Sequence, residues 1–188
     1  MATTTIPTNG ATTTTIARIA GKGVAATTTI PATTTTVAPK PVAPTLVNTA
    51  SAAGAATIAG KTARAKTTRV NNQLVFTAGG FTVTLAGVNP DGTIIPLTQD
   101  GLLEVRRGDM FRLDAQGFAP GSKVEIWMFS KTILLSNVEV GENGLVRSKL
   151  KVPKSVENGL HHLVMVGVDK TNAGAKFEVG MNVGVPQK

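Results

Sequence analysis

GFAPGSKVEIWMFS, at residues 117–130, carries the clearest structural signal in the chain. Its first six residues predict a turn, because Gly117 and Gly121 accept a positive φ while Pro120 fixes its own φ and has no N–H for a ladder. Phe118 stands between these turn residues, where a large aromatic side chain would expose much apolar surface if it faced solvent. We therefore expect Phe118 to close a hydrophobic core.

The eight residues after this turn are the most β-prone in the chain, and they include its only tryptophan. Val124, Ile126 and Met128 alternate with Trp127 and Phe129, so apolar side chains fall on both faces of the strand. This pattern is typical of a central strand that is covered on both sides. We expect Trp127 to be a core residue rather than a platform for a sugar.

Short β-prone segments separated by turn residues continue through the C-terminal part of the chain. Turn signals include NPDG at 89–92 and GENG at 141–144. The predicted strands cover 73–77, 81–88, 93–97, 102–105, 110–115, 123–130, 133–140, 145–152, 161–168 and 175–184. Pro96 places the strand at 93–97 at a sheet edge or ends it there. Strands at intervals of roughly 8–12 residues, without helical periodicity, predict an all-β fold of the sandwich class.

The first 70 residues differ in composition from the rest. They contain seven Lys or Arg and no Asp or Glu, whereas residues 71–188 contain 12 basic and 11 acidic side chains. Four imperfect copies of alanine, a threonine run and Ile or Val lie within 2–37, and the proline-rich APKPVAP follows at 38–44. We therefore divide the chain into a Thr/Ala/Pro-rich low-complexity segment, 1–70, and a β-sandwich domain, 71–188.

Two interpretations of the segment 1–70 are open. It is either a disordered stalk, with or without sugars on its threonines, or an assembly segment. The second interpretation rests on the β-propensity of Thr, Ile and Val, which would let the segment add strands to a sheet edge of another subunit. The two differ in whether the segment becomes ordered only in an assembled state.

Several classes of protein are excluded by composition. The absence of cysteine excludes disulfides, zinc–thiolate sites and a cysteine nucleophile. No run of about 18 apolar residues occurs, so we expect no membrane-spanning helix. Met1 is followed by neither a basic nor an apolar region of the kind that begins a signal peptide, so we expect none in this chain.

The residues that could carry catalysis or bind a metal lack supporting neighbours. His161 and His162 are adjacent on a strand and point to opposite faces, so they are not expected to share a ligand. Ser122 and Ser130 have no nucleophile-elbow context. Four aspartates lie singly in turns: Asp91, Asp100, Asp109 and Asp169. We predict no catalytic, cofactor-binding or metal-binding residues, because a calcium site would need several acids in one loop.

Arg147, Lys149 and Lys151 share one face of a predicted strand, with apolar residues at the alternate positions. One interpretation is a solvated outer face that discourages edge pairing. The other is a contact with an anionic glycan or another polyanion. We do not expect nucleic acid as a partner, since the basic residues of 1–70 are scattered and no aromatic residues are interleaved with them.

Several motifs, in one fixed order, resemble the immunoglobulin-like modules of actinobacterial cell-surface and secreted proteins. They are Gly108-Asp109, GFAPGS at 117–122, the aromatic-rich strand ending in Phe129-Ser130, Leu134-Leu135, Glu142-Asn143-Gly144, Val152-Pro153 and GLHHL at 159–163. The resemblance covers about residues 75–184, although the proline and Leu-Gly that usually follow Phe-Ser are replaced by Lys131-Thr132 and Leu135-Ser136. It implies an immunoglobulin-like β-sandwich without catalytic residues, used as a stalk, spacer or adhesion unit beside Thr/Pro-rich linkers. It also implies that His161 is a structural, hydrogen-bonding residue at the start of its strand.

We therefore expect a non-enzymatic structural or adhesive module outside the cell, an immunoglobulin-like domain on a stalk at a bacterial surface. It would need no cofactor, and its partners would be other protein subunits or components of the cell wall or surface. The alternative is a self-assembling fibre or sheath subunit. In that case the chain would be a homo-oligomer whose N-terminal segment adds strands to a neighbour.

Overall fold

The structure is a computed structural model that describes residues 40–46 and 54–184, and every regular element in these ranges is a β-strand. The strands are β1 (Ala55–Ile58), β2 (Lys61–Ala63), β3 (Ala65–Val70), β4 (Gln73–Ala78), β5 (Phe81–Val88), β6 (Leu103–Arg106), β7 (Met110–Gln116), β8 (Lys123–Phe129), β9 (Ile133–Glu139), β10 (Leu145–Lys151), β11 (Gly159–Val168) and β12 (Gly174–Gly184). They form two sheets that share one core, so the predicted all-β sandwich is confirmed. Within the described ranges, no helix has the length and apolar character needed to cross a bilayer.

The two sheets differ in the number and order of their strands. Sheet A has the order β2-β1-β12-β11-β8-β9, and sheet B has the order β10-β7-β5-β4-β3. The long strand β12 pairs with β1 along its first half, and its last residues, 181–184, pair in parallel with β6. All other strand pairs are antiparallel. The chain changes sheets six times along the described strands: after β2, β5, β6, β7, β9 and β10.

The sheets begin before residue 71, where the sequence places the domain boundary. Strand β1 pairs with β12 and β3 pairs with β4, so residues 55–70 belong to the sandwich. Ala56 is 1% exposed and is part of the core. These strands are rich in alanine and threonine, and their composition therefore matches that of the segment before them. The threonine-run repeats at 2–37 lie outside the described residues.

A second difference concerns residues 93–97, where the sequence predicts a strand. The structure has only an isolated bridge there, between Val88 and Ile94, with hydrogen bonds from Asn89 N to Thr93 O at 2.8 Å and from Ile95 N to Gly87 O at 2.9 Å. From Leu85 back to Phe81, β4 pairs with this edge of β5, so the pairing of residues 93–97 stops here.

Four phenylalanine rings meet at one end of the core. Phe118 is fully buried, and its ring centroid lies 5.0 Å from that of Phe81 and 5.8 Å from that of Phe177. The fourth ring, Phe76, lies 6.1 Å from Phe177 with an edge-to-face geometry. Aromatic pairs with such spacing are each worth about 0.5–1.5 kcal/mol beyond the burial of their area.

The turn at 117–122 holds Phe118 in this cluster. Gly117 has a φ of 111°, and a Cβ at this position would lie 2.9 Å from the Phe81 ring, so only glycine fits without strain. Gly121 has a φ of 72°, and its N–H donates to Val140 O at 2.9 Å. Pro120 lies between them at the exposed tip of the turn. The turn therefore positions the Phe118 ring and joins β7 of sheet B to β8 of sheet A.

Candidate functional surfaces

The outer face of sheet B is polar and is built from three adjacent strands. Thr84 of β5, Asp114 of β7 and Arg147 of β10 form one cross-strand row. In the next row, Arg112 of β7 lies opposite Lys149 of β10. Alternate residues of the same strands point into the core, because successive side chains of a strand point to opposite faces.

Asp114 is paired with two arginines on this face. Its Oδ2 atom lies 3.1 Å from Arg112 Nε, and its Oδ1 atom lies 3.6 Å from Arg147 Nε. All three side chains are at least 35% exposed, so each pair contributes at most about 1 kcal/mol to stability. The main consequence is that Asp114 fixes two guanidinium groups side by side. Around them is a shallow hollow of about 480 Å³, whose walls include Thr82, Thr84 and Gln116.

A second concave site, of about 470 Å³, lies where β10 ends. It is lined by Lys151, Lys154, Asp109, Gly108 and Arg107. Gly108 packs beside the Lys154 side chain, since a Cβ at this glycine would be in ordinary van der Waals contact with Lys154 Cε, at 3.4 Å.

Arg107 is the unusual residue of this second site. Its Nε atom is buried and has no hydrogen-bond partner among the described residues. The neighbouring Arg106 is different, because its Nη1 atom donates to Asn89 Oδ1 at 2.6 Å. A buried donor without an acceptor costs about 1–3 kcal/mol, so the Nε–H of Arg107 is a place where an added acceptor would be favourable.

The two sites form one continuous surface, which we call the basic strip. It consists of Arg112, Arg147, Lys149 and Lys151 on the outer face of sheet B and Arg107 and Lys154 at its end. The sequence indicated only the three residues of β10. The sequence does not indicate the other three, because Arg112 lies on β7 and Arg107 and Lys154 lie in turns. Only the folded arrangement brings these residues beside β10.

The outer face of sheet A is largely covered. Trp127 of β8, Val164 of β11 and Glu178 of β12 form one row of this face, and they are 6%, 0% and 2% exposed. Trp127 is therefore buried, but it lies on the face away from the core between the sheets. Its Nε1 atom donates to Glu125 Oε2 at 3.1 Å.

Residues that precede β1 lie against this face. Lys176 Nζ donates to the carbonyl oxygen of Thr45 at 2.5 Å and also lies 3.0 Å from Glu178 Oε1. Leu46 lines a hollow of about 310 Å³ together with Phe129, Ser130, Leu160 and His162. The chain thus covers part of its own sheet A with the residues that lead into the sandwich.

The two histidines are not brought together. His161 faces the core and is 2% exposed, and its Nε2–H donates to the carbonyl oxygen of Glu157 at 2.9 Å. Its Nδ1 atom is buried without a hydrogen-bond partner in the described ranges. His162 faces the opposite side and borders the hollow beside Leu46. Over residues 40–46 and 54–184, no three side chains of metal-ligating type are grouped.

Two of the turn aspartates bind their own turns. Asp91 Oδ1 accepts hydrogen bonds from the Thr93 hydroxyl and amide at 2.6 and 2.9 Å. Asp169 Oδ1 accepts from the Thr171 hydroxyl and amide at 2.6 and 2.7 Å and from Ala173 N at 2.9 Å. These bonds lower the pKa of both carboxyl groups, the threonine hydroxyl being the largest cause in each. Ser122 similarly donates its hydroxyl to Ala119 O within its own turn.

No family model matches this chain, and no curated protein matches it. The resemblance to actinobacterial immunoglobulin-like modules therefore stays a prediction that rests on the motifs themselves.

Proposed function

We propose that the chain is a non-enzymatic structural and adhesive module, an immunoglobulin-like domain displayed outside the cell at a bacterial surface on its Thr/Ala/Pro-rich N-terminal segment. The observation that carries this proposal is the polar outer face of sheet B. There, hydroxyl, amide and basic side chains project from a sheet whose other face is anchored in the core. Such an open face suits contact with an extended surface polymer, whereas small-molecule sites are usually enclosed and largely apolar.

The strand pairing supports the immunoglobulin-like part of the proposal. Strand β7 pairs with β10 in one sheet, while β8 pairs with β11 and β11 pairs with β12 in the other. In the immunoglobulin fold, strands B and E pair in one sheet and strands C, F and G pair in the other. If β7 corresponds to strand B, the order of the later strands follows the same scheme, with β9 beside β8 as an additional edge strand.

The hydrogen bonds of the polar residues support a role without catalysis. A general acid or base works best with a pKa near the operating pH. The pKa values of Asp91 and Asp169 are instead lowered, because the carboxylates are held by hydroxyl groups of their own turns. His161 is likewise engaged by the carbonyl oxygen of Glu157, inside the core.

Sedimentation with isolated cell envelopes tests the adhesive function. Purified full-length chain is mixed with envelopes of the source bacterium, and the bound fraction is measured in the pellet over a range of protein concentrations. We expect saturable retention well above that of a small basic control protein such as cytochrome c. Retention no greater than that of the control would contradict an adhesive role.

A second candidate function is self-assembly into a fibre or sheath. One observation favours it: β9 is at the edge of sheet A, and within the described ranges it pairs only with β8. Its Leu134 and Leu135 are only partly buried, so an added strand would cover further apolar surface. A threonine-rich segment of a neighbouring copy would be the strand that is added.

Light scattering and negative-stain microscopy distinguish this candidate from the first. The full-length chain is compared with a variant that begins at Val42 and therefore keeps every described strand. Filaments of the full-length chain alone would support assembly through the N-terminal segment. Monomers in both samples would contradict it.

A further inference from the structure

The basic strip carries a strong local excess of positive charge. Six basic side chains stand beside two carboxylates, those of Asp114 and Asp109, which gives the strip a net charge of +4. Residues 71–188 as a whole are nearly neutral, with 12 basic and 11 acidic side chains. The charge is therefore concentrated on one surface, and this surface attracts anions beyond what the composition suggests.

The strip also has a regular geometry. Arg147, Lys149 and Lys151 occupy alternate positions of β10, so their Cα atoms are about 6.6 Å apart along the strand. Arg112 lies beside Lys149 on the neighbouring strand. A linear polymer with repeated negative charges could therefore lie along β10 and meet one cation after another.

The end of the strip provides the most defined anion site. Arg107, Lys151 and Lys154 surround a concave space, and the buried Nε atom of Arg107 has no acceptor there. An anionic oxygen in this space could form charge-assisted hydrogen bonds with Arg107, Lys151 and Lys154.

The residues beside the charges indicate the class of polymer. Thr82, Thr84 and Gln116 line the same hollow as Arg112 and Arg147, and they offer donors and acceptors suited to sugar hydroxyl groups. The residues of the strip include no aromatic side chain on which a nucleobase could stack, which single-stranded nucleic acids usually need. The combination of cations and hydroxyl groups favours an acidic polysaccharide.

We propose that the basic strip is a binding site for an acidic polysaccharide, with one anionic group held between Arg107, Lys151 and Lys154 and the next groups along β10. This inference deepens the proposed adhesive function and rests on it, since it names the partner that the outer face of sheet B contacts. The recognition is mainly electrostatic, so the affinity falls as the salt concentration rises.

The test measures binding of the full-length chain to polygalacturonate and to heparin, as carboxylated and sulfated polysaccharides, by biolayer interferometry. Neutral dextran is the uncharged control, and single-stranded DNA and polyglutamate represent other polyanions. We expect a double variant with Lys149→Glu and Lys151→Glu to bind the better polysaccharide at least 10-fold more weakly. We expect Arg107→Gln to weaken binding several-fold and Arg107→Lys to restore part of it.

A matched control carries Lys61→Glu and Lys170→Glu, which change the net charge equally but lie on β2 and in the β11–β12 turn. All four lysines are exposed, so each variant should keep the melting temperature and the circular dichroism spectrum of the wild type. Equal losses in the strip and control variants would overturn the proposal, because binding would then follow the net charge alone. Tighter binding of DNA or polyglutamate than of either polysaccharide would overturn it as well.

Envelope sedimentation separates this inference from the function on which it rests. If the strip variant sediments with envelopes as well as the wild type does, the chain is adhesive but the strip is not its binding site. If the wild type fails to sediment, the adhesive function itself is wrong.

Discussion

Lys176 Nζ lies 3.0 Å from Glu178 Oε1 on the outer face of sheet A, where Glu178 is only 2% exposed. The same ammonium group donates to the carbonyl oxygen of Thr45, in the residues that lead into the sandwich. One cation therefore neutralises a buried carboxylate and also attaches the preceding segment to the sheet.

Replacing Lys176 with methionine is expected to lower the free energy of unfolding by about 1.5–3 kcal/mol. A hydrogen bond to a charged group typically contributes about 1.5–3 kcal/mol, and the variant loses the one that Lys176 makes to the buried Glu178 carboxylate. Urea unfolding measures the change. The matched control is Lys151→Met on the exposed face of β10, which should stay within about 0.5 kcal/mol of the wild type. Equal effects at the two positions would show that the pair with Glu178 has no special role.

Phe118→Ala is expected to destabilise the fold by about 3–5 kcal/mol, the usual cost of removing a buried phenylalanine ring. The ring is fully buried, and its neighbours Phe81 and Phe177 cannot close the space without moving strands of both sheets. Chemical denaturation measures the loss, and Leu160→Ala is the control because Leu160 is 52% exposed. A loss below about 1 kcal/mol at Phe118 would contradict its place in the core.

Gly87→Ala is expected to be strongly destabilising, by about 3 kcal/mol or more, because β5 and the backbone of β6 approach closely at this point. A Cβ at Gly87 would lie 2.0 Å from the carbonyl oxygen of Glu104, and relief would require a shift of the backbone. Gly174→Ala is the matched control, since a Cβ there meets nothing within 4 Å. The control should be neutral or slightly stabilising, because alanine restricts the unfolded chain. Similar melting temperatures for the two variants would contradict the close approach of β5 and β6.

Asp169→Asn is expected to lower stability at neutral pH but to have less effect in acid. The Thr171 hydroxyl and the Ala173 amide stabilise the Asp169 carboxylate, so its pKa is lower in the folded chain than the value of about 3.9 in the unfolded chain. The carboxylate therefore contributes stability above about pH 4, and this contribution disappears as the pH falls through the lowered pKa. Melting temperatures of wild type and variant from pH 2 to pH 7 should converge at the acid end. A difference that stays constant over this range would contradict the role assigned to the carboxylate.

Local sequence chemistry predicts the centre of the fold well. The glycines and proline at 117–122 specify a turn, and the alternation that follows specifies β8, because both signals depend only on neighbouring residues. The start of the sandwich is harder to predict. Strands β1 and β3 consist mainly of alanine, threonine and basic residues, and what makes them strands is the pairing with β12 and β4, more than a hundred residues away in the first case.

The candidate site, like the fold, is only partly predictable from local sequence patterns. Alternation along β10 identifies Arg147, Lys149 and Lys151 as one face, since it needs only the period of a strand. Arg112 joins them through the β7–β10 register, and Arg107 and Lys154 through the folding of two turns around Gly108. No local pattern encodes these contacts. Trp127 is a similar case: its burial follows from its apolar neighbours, but only the sheet order places it on the outer face.

Antibody labelling of the cells that produce this protein tests whether the module is displayed outside the cell. Antibodies raised against residues 54–184 are applied to intact cells and to permeabilised cells, with a known internal protein as the control for leakage. If the module is displayed outside the cell, as we propose, intact cells will be labelled as strongly as permeabilised cells. Labelling of permeabilised cells alone would place the chain inside the cell and contradict its function as a surface module.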